Sequence, residues 1–102
     1  MRPELSLPAV WAEDDASAHP GRVELHGQLL RLVGGSREAD RSRELELSEI
    51  ASTRIARTAS DRIGGRPTLV LELRHGGSIR IAGFARLGAL SELTERLLVA
   101  TT

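Results

Sequence analysis

The feature that most constrains this chain is an alternation of apolar and polar residues that gives way directly to a helical stripe. From Thr68 the chain reads TLVLELRHGGSIRIAG, in which Leu69, Leu71 and Leu73 alternate with Val70 and Glu72, and Ile79 and Ile81 flank Arg80. Alternation of period two belongs to a strand with one face buried, so the stretch predicts an antiparallel hairpin. A three-residue turn at His75-Gly76-Gly77 sets Leu73 opposite Ile79, Leu71 opposite Ile81 and Glu72 opposite Arg80. Leu87, Leu90, Leu93, Leu97 and Leu98 then recur at helical spacing. They predict an amphipathic helix from Arg86 to Val99, with Glu92 and Arg96 paired on its exposed side.

A second hairpin lies near the start, in RVELHGQLLRLV. A two-residue loop at Gly27-Gln28, with Gly first as a type II′ turn prefers, pairs His26 with Leu29. Leu25 then faces Leu30 and Val23 faces Leu32 on one side, while Glu24 meets Arg31 on the other. A one-residue slip would undo both sets of pairs. Between the hairpins, residues 34–42 read as a polar loop. Residues 44–47 form a short strand, residues 50–57 a strand with weaker alternation, and residues 58–67 a loop with turn chemistry at Gly64-Gly65. Leu5 to Ala12 predicts a first strand, which Pro8 confines to an edge or a bulge. The order is up to seven short strands and then one C-terminal helix.

Length and composition bound the chemistry. A chain of 102 residues with 40% hydrophobic content predicts one domain over 1–102, with residues 1–4 and 100–102 frayed. There is no Cys, so disulfides and thiolate chemistry are excluded. No signal-like or membrane-length apolar run is present, so a cytoplasmic protein is expected. All 14 basic residues are Arg, balanced by 14 Asp and Glu. GC-rich coding bias explains that usage better than bidentate anion recognition does. With Trp11 and Phe84 the only aromatics and no basic excess, no nucleic-acid partner is expected.

The opening GRVELHGQLLRLVG, the middle RELELSEIASTRIAR and the closing TLVLELRHGGSIRIAG with its helix resemble the pleckstrin-homology-like superfamily, and more narrowly its small bacterial PH domains. The resemblance is one of element order over roughly residues 5–100. It implies a mainly β fold with one C-terminal α-helix: a partly open antiparallel barrel of about seven strands, plugged at one end by the helix. Phosphoinositide-binding members place Lys and Arg on the first two strands and the loop between them. Here that loop carries Glu13, Asp14 and Asp15, which would repel an inositol phosphate, and only Arg22 fits such a role. The family's exposed sheet edges and the groove beside its helix suit strand addition or peptide capture.

Candidate sites follow from the charges. Arg54, Arg57, Arg62 and Arg66 make the densest basic run and are the first candidate binding patch; a solvated surface loop is the simpler explanation. Arg37, Arg41, Arg43 and Arg74 define a secondary rim patch, which local carboxylates also neutralise. His19, His26 and His75 fall in separate loops and turns without metal-ligand spacing, so no metal and no cofactor are expected. Gly34-Gly35-Ser36 and Gly64-Gly65-Arg66 lack the Lys and helix start of a phosphate loop, and Asp14-Asp15 do not face each other across a substrate. No catalytic residue is assigned. Trp11 and Phe84 read as core, with Trp11 as an exposed anchor the alternative.

The sequence thus predicts a non-enzymatic interaction module whose partner is another protein or a second copy. The alternative is peripheral binding to anionic lipid through an Arg-bearing rim, which the acidic Glu13–Asp15 segment disfavours. A rival to the barrel is a single sheet covered on one face by the helix and on the other by a dimer, since Leu29 and Val33 face away from Leu30 and Leu32.

Overall fold

Each predicted strand forms in the computed structural model, which describes residues 5–14, 17–34, 42–83 and 87–101, the side chains of 87–89 and 100–101 excepted. The elements are β1 (Leu5–Glu13), β2 (His19–His26), β3 (Leu29–Gly34), β4 (Ser42–Glu46), a 3₁₀ turn (Leu47–Glu49), β5 (Ile50–Ile55), β6 (Thr68–Leu73), β7 (Ser78–Gly83) and α1 (Leu87–Thr101). The strands form one antiparallel sheet in the order β4-β3-β2-β1-β7-β6-β5. Laid flat, that order would separate the edge strands β4 and β5 by roughly 29 Å, at about 4.8 Å per strand. The short 3₁₀ link can span no more than about 14 Å. The sheet therefore curls into a partly open barrel, and Leu45 of β4 and Ile50 of β5 share one buried cluster.

The β2–β3 hairpin has the predicted register: His26↔Leu29, Leu25↔Leu30, Glu24↔Arg31 and Val23↔Leu32. Its turn begins at Gly27, φ +59°, the sign that a type II′ turn needs at its first central position. The β6–β7 hairpin differs from prediction. Leu71 faces Ile79, Leu69 faces Ile81 and Glu72 faces Ser78, a shift of two residues. The loop is Arg74-His75-Gly76, not His75-Gly76-Gly77: Gly76 N–H donates to Leu73 O (3.2 Å) and Leu73 N–H to Gly77 O (3.0 Å). Gly76 has φ +97°. This is the three-residue loop that ends in a left-handed residue and a bulge.

β1 departs further from expectation. It occupies the centre of the sheet, not an edge, pairing with β2 through Leu5–Trp11 and with β7 through Ala9–Glu13. Pro8 lies one residue beyond Ala9, whose partner Gly83 is the last described residue of β7, so among the described residues no ladder bond on that side is asked of its missing N–H. β5 ends at Ile55, short of the predicted Arg57, and carries a register break between Ile50 and Ser52. Leu47 belongs to the 3₁₀ turn and not to β4. The predicted start of the helix at Arg86, and Phe84, lie outside the described residues. α1 continues through Thr101, past the predicted end and into the segment expected to fray.

Inward-facing residues of every strand meet Leu90, Leu93 and Leu97 of α1 in one core. Burying a Leu of this kind stabilises by roughly 1.5–3 kcal/mol. Leu98, predicted for the buried stripe, is instead 43% exposed. Trp11 is core: it is 2% exposed, and its Nε1–H donates to Val33 O at 3.0 Å. The acceptor can reach it because β2 has Gly21 there; any Cβ at Gly21 would collide with that same Val33 carbonyl.

Val70, Ala12 and Ala82 are also buried, yet they point to the opposite face of the sheet from this core. Across the strands Val70 lies between Arg54 and Arg80, and Arg80 faces Ala12. Val70 thus has an arginine on each side and Ala12 has one, an arrangement in which arginine stems can lie over small apolar residues with the guanidinium groups in water. Ala82 instead lies between Val10 and Thr68.

Candidate functional site

The β2–β3 turn, the 3₁₀ turn and the C-terminal half of α1 meet at one corner of the barrel. Leu47, buried, donates its N–H to Gln28 O at 2.8 Å and ties the 3₁₀ turn to the hairpin. Glu49 accepts the Glu46 N–H at 2.8 Å, half of a reciprocal capping box between those two residues. On the far side Arg74 Nε donates to Ser48 O (2.8 Å) and Arg74 N–H to Glu49 O (2.9 Å). These links tie the 3₁₀ turn to both hairpins.

Two clefts open at this corner. One, of about 460 Å³, has Leu25 and Leu47 at its floor, Gln28 at its lip and Glu95, Arg96 and Val99 of α1 as its wall. The other, of about 440 Å³, is lined by His26, Leu29, Glu46 and Ser48. They share Gln28 and Leu47, so they read as one broken groove. Val99, 78% exposed, adds an apolar rim. An apolar floor with a few fixed polar groups is what a binding cleft offers a side chain.

The arginine patches take other places. Arg54 lies on β5 and is held by two carboxylates, Nη1 to Asp61 Oδ2 at 3.2 Å and Nη2 to Glu72 Oε1 at 3.5 Å. Arg57, Arg62 and Arg66 are exposed in the segment that follows. That segment is folded onto the sheet by Thr68: its buried hydroxyl donates to Arg66 O (2.8 Å) and accepts the Ile63 N–H (3.0 Å). Arg43 pairs with Glu13 at 3.6 Å, and Arg74 serves the corner described above. Arg37 and Arg41 lie outside the described residues, as does Asp15. The acidic segment is itself engaged. Asp14, φ +48°, accepts the Ser78 N–H on Oδ1 (2.8 Å), and its own N–H donates to Ser78 O (2.8 Å). Asp14 thus clips the end of β1 to the β6–β7 hairpin.

His26 stands 3.4 Å from Glu24, and His19 packs edge-on to Trp11 with ring centroids 6.3 Å apart. Among the described residues no three His, Asp or Glu side chains gather as metal ligands. Among them, too, no helix is long and apolar enough to cross a membrane.

Sequence reasoning missed the corner. Its only local signal is Glu46 and Glu49 at capping-box spacing; everything else there is long-range.

The architecture defines the class of protein: seven antiparallel strands curled into a partly open barrel, with one C-terminal helix. No family model and no curated protein matches the chain. Among solved structures it is similar to the crystal structure of the C-terminal domain of an unknown protein from Leishmania infantum. The TM-score is 0.73 at 15% identity, over 94% of this chain and 84% of that one. At that identity the likeness is one of fold.

Proposed function

We propose that this chain is a non-enzymatic, cytoplasmic interaction module of PH-like fold whose partner is another protein, engaged at the corner between the β2–β3 turn, the 3₁₀ turn and α1. The observation that carries the reading is the pair of adjoining clefts with Leu25, Leu47 and Leu29 beneath and exposed Val99 at the rim. Apolar ground framed by polar groups suits a partner's side chains, and the hydrogen-bonded links behind it keep the surface pre-organised for binding.

A photo-crosslinking side chain at Gln28, exposed at the junction of both clefts, tests this in cells; the same group at Ala59, on the loop after β5, is the control. The expected result is a discrete protein adduct from position 28 alone. Equal labelling from both positions, or none from 28, overturns the reading. The alternative, anionic lipid, keeps Arg57 and Arg62, which make no ion pair among the described residues. It is weaker because Arg54, Arg43 and Arg74 are already engaged. Co-sedimentation with anionic vesicles at low salt, abolished by high salt and by Arg57→Gln with Arg62→Gln, would restore it.

A further inference from the structure

We infer that the outer edge of β4 accepts an extended segment of a partner protein carrying Arg or Lys at alternate positions, the backbone pairing with β4 and the cations lying beside Glu44 and Glu46. The inference rests on the protein-binding reading above and names the partner's chemistry. The two sheet edges differ. β5 is broken in register between Ile50 and Ser52 and has α1 packed against it. β4 runs unbroken against β3 from Val33↔Ser42 to Leu29↔Glu46, and among the described residues no strand pairs with its other side. The Glu46 N–H on that side is taken by Glu49 Oε2, which leaves the backbone groups of Ser42 and Glu44 as the template for pairing with a further strand.

Charge chooses the occupant. Glu44 and Glu46 both point to the outer face, opposite Arg31 and Leu29 respectively. Arg31 already lies between Glu44 and Glu24, so one cation faces two carboxylates across that row. Neither Glu44 nor Glu46 has an ion-pair partner among the described residues. A second copy of β4 is a poor occupant. In each in-phase antiparallel register overlapping three or more residues, Glu44 meets Glu44, Glu44 meets Glu46, or Arg43 meets Arg43, and like charges directly opposite destabilise. A basic strand converts the same pattern into cross-strand attraction. Beside Glu46 lies the 440 Å³ cleft with half-buried Leu29, which supplies apolar ground for a Lys or Arg stem and a carboxylate for its head.

The probe is a capped heptapeptide of alternating Arg and Val, titrated into the 15N-labelled protein. Its controls are the same peptide with Glu for Arg, and one with alternate backbone nitrogens methylated. The expected result is binding at least tenfold tighter for the Arg peptide than for the Glu peptide, with slowed hydrogen exchange in Ser42–Glu46. Backbone methylation abolishes that protection. Glu44→Gln with Glu46→Gln weakens binding at least fivefold; both residues are exposed and a Gln at position 46 can still accept the Glu49 N–H of the capping box, so the variant keeps its fold, as its circular dichroism will show. Equal affinity for the two charge patterns, or no binding at millimolar peptide, overturns the inference. Shifts confined to Gln28, Leu47 and Val99 without protection in β4 also overturn it, and leave the interaction-module reading standing.

Discussion

Asp14 and Gly77 are coupled, and the coupling has a predictable size. A Cβ at Gly77 would sit 2.8 Å from Asp14 Oδ1, the oxygen that accepts the Ser78 N–H. Gly76, one residue earlier, has a similar positive φ, but a Cβ there meets nothing. Gly76→Ala therefore measures backbone strain alone, about 1–2 kcal/mol for a left-handed residue. Gly77→Ala carries the same strain and also displaces the carboxylate, which forfeits a charge-assisted hydrogen bond worth about 1 kcal/mol at this exposed position. The second variant should thus be less stable than the first by about 1 kcal/mol, or roughly 4 °C or more in midpoint. Asp14→Gly removes the obstacle, and in that background the two alanine variants should have equal stability. Urea unfolding followed by the fluorescence of Trp11, the one tryptophan, reads all six proteins. A gap between the alanine variants that persists in Asp14→Gly, or no gap in the native background, refutes the clip as described.

Trp11→Phe keeps a ring in the core but leaves Val33 O without its donor, costing about 1–3 kcal/mol by urea titration followed by circular dichroism. Thr68→Val, isosteric, orphans the Ile63 N–H and should cost about 2 kcal/mol while speeding hydrogen exchange at Ile63. Leu93→Ala, at a fully buried site where the helix meets the barrel, should cost about 2–5 kcal/mol; a loss under 1 kcal/mol would show that α1 is dispensable to the core.

The two hairpins show how far alternation reaches. In β2–β3 the Gly27-Gln28 pair admits one turn, and the register follows. In β6–β7 two glycines are adjacent, and the choice between them moves the register by two. A one-residue slip would have carried Leu71 and Ile79 to the wrong face, but a two-residue slip keeps every side chain on its face. The pattern therefore cannot detect it; turn geometry does. Pro8 misled for a related reason: a proline forbids ladder bonds only where a neighbour is present, and how far β7 reaches is not local information. The carboxylate partners of Arg54 were hidden by the same kind of distance. Glu72, 18 residues from Arg54 along the chain, lies beside it only because β5 and β6 pair. The corner was illegible for the same reason, since Leu47 and Gln28 are joined by the folding of the sheet.

The central place of β1 bears on how the chain is made. Strands β2 to β4 are neighbours in both sequence and space, and so are β5 to β7, so each trio closes between consecutive strands. Among the strand pairings, only Ala9↔Gly83 to Glu13↔Ile79 join the two halves, across most of the chain's length. Loop-closure entropy makes such pairs late and slow to form. Of the seven described strands β1 is made before the others, yet its second neighbour, β7, is made after them. Until then Trp11 and Ala9 have half a binding site. A chain that ends before Ser78 lacks the strand that β1 pairs with on that side, and the Leu90, Leu93 and Leu97 that complete the core are still to come.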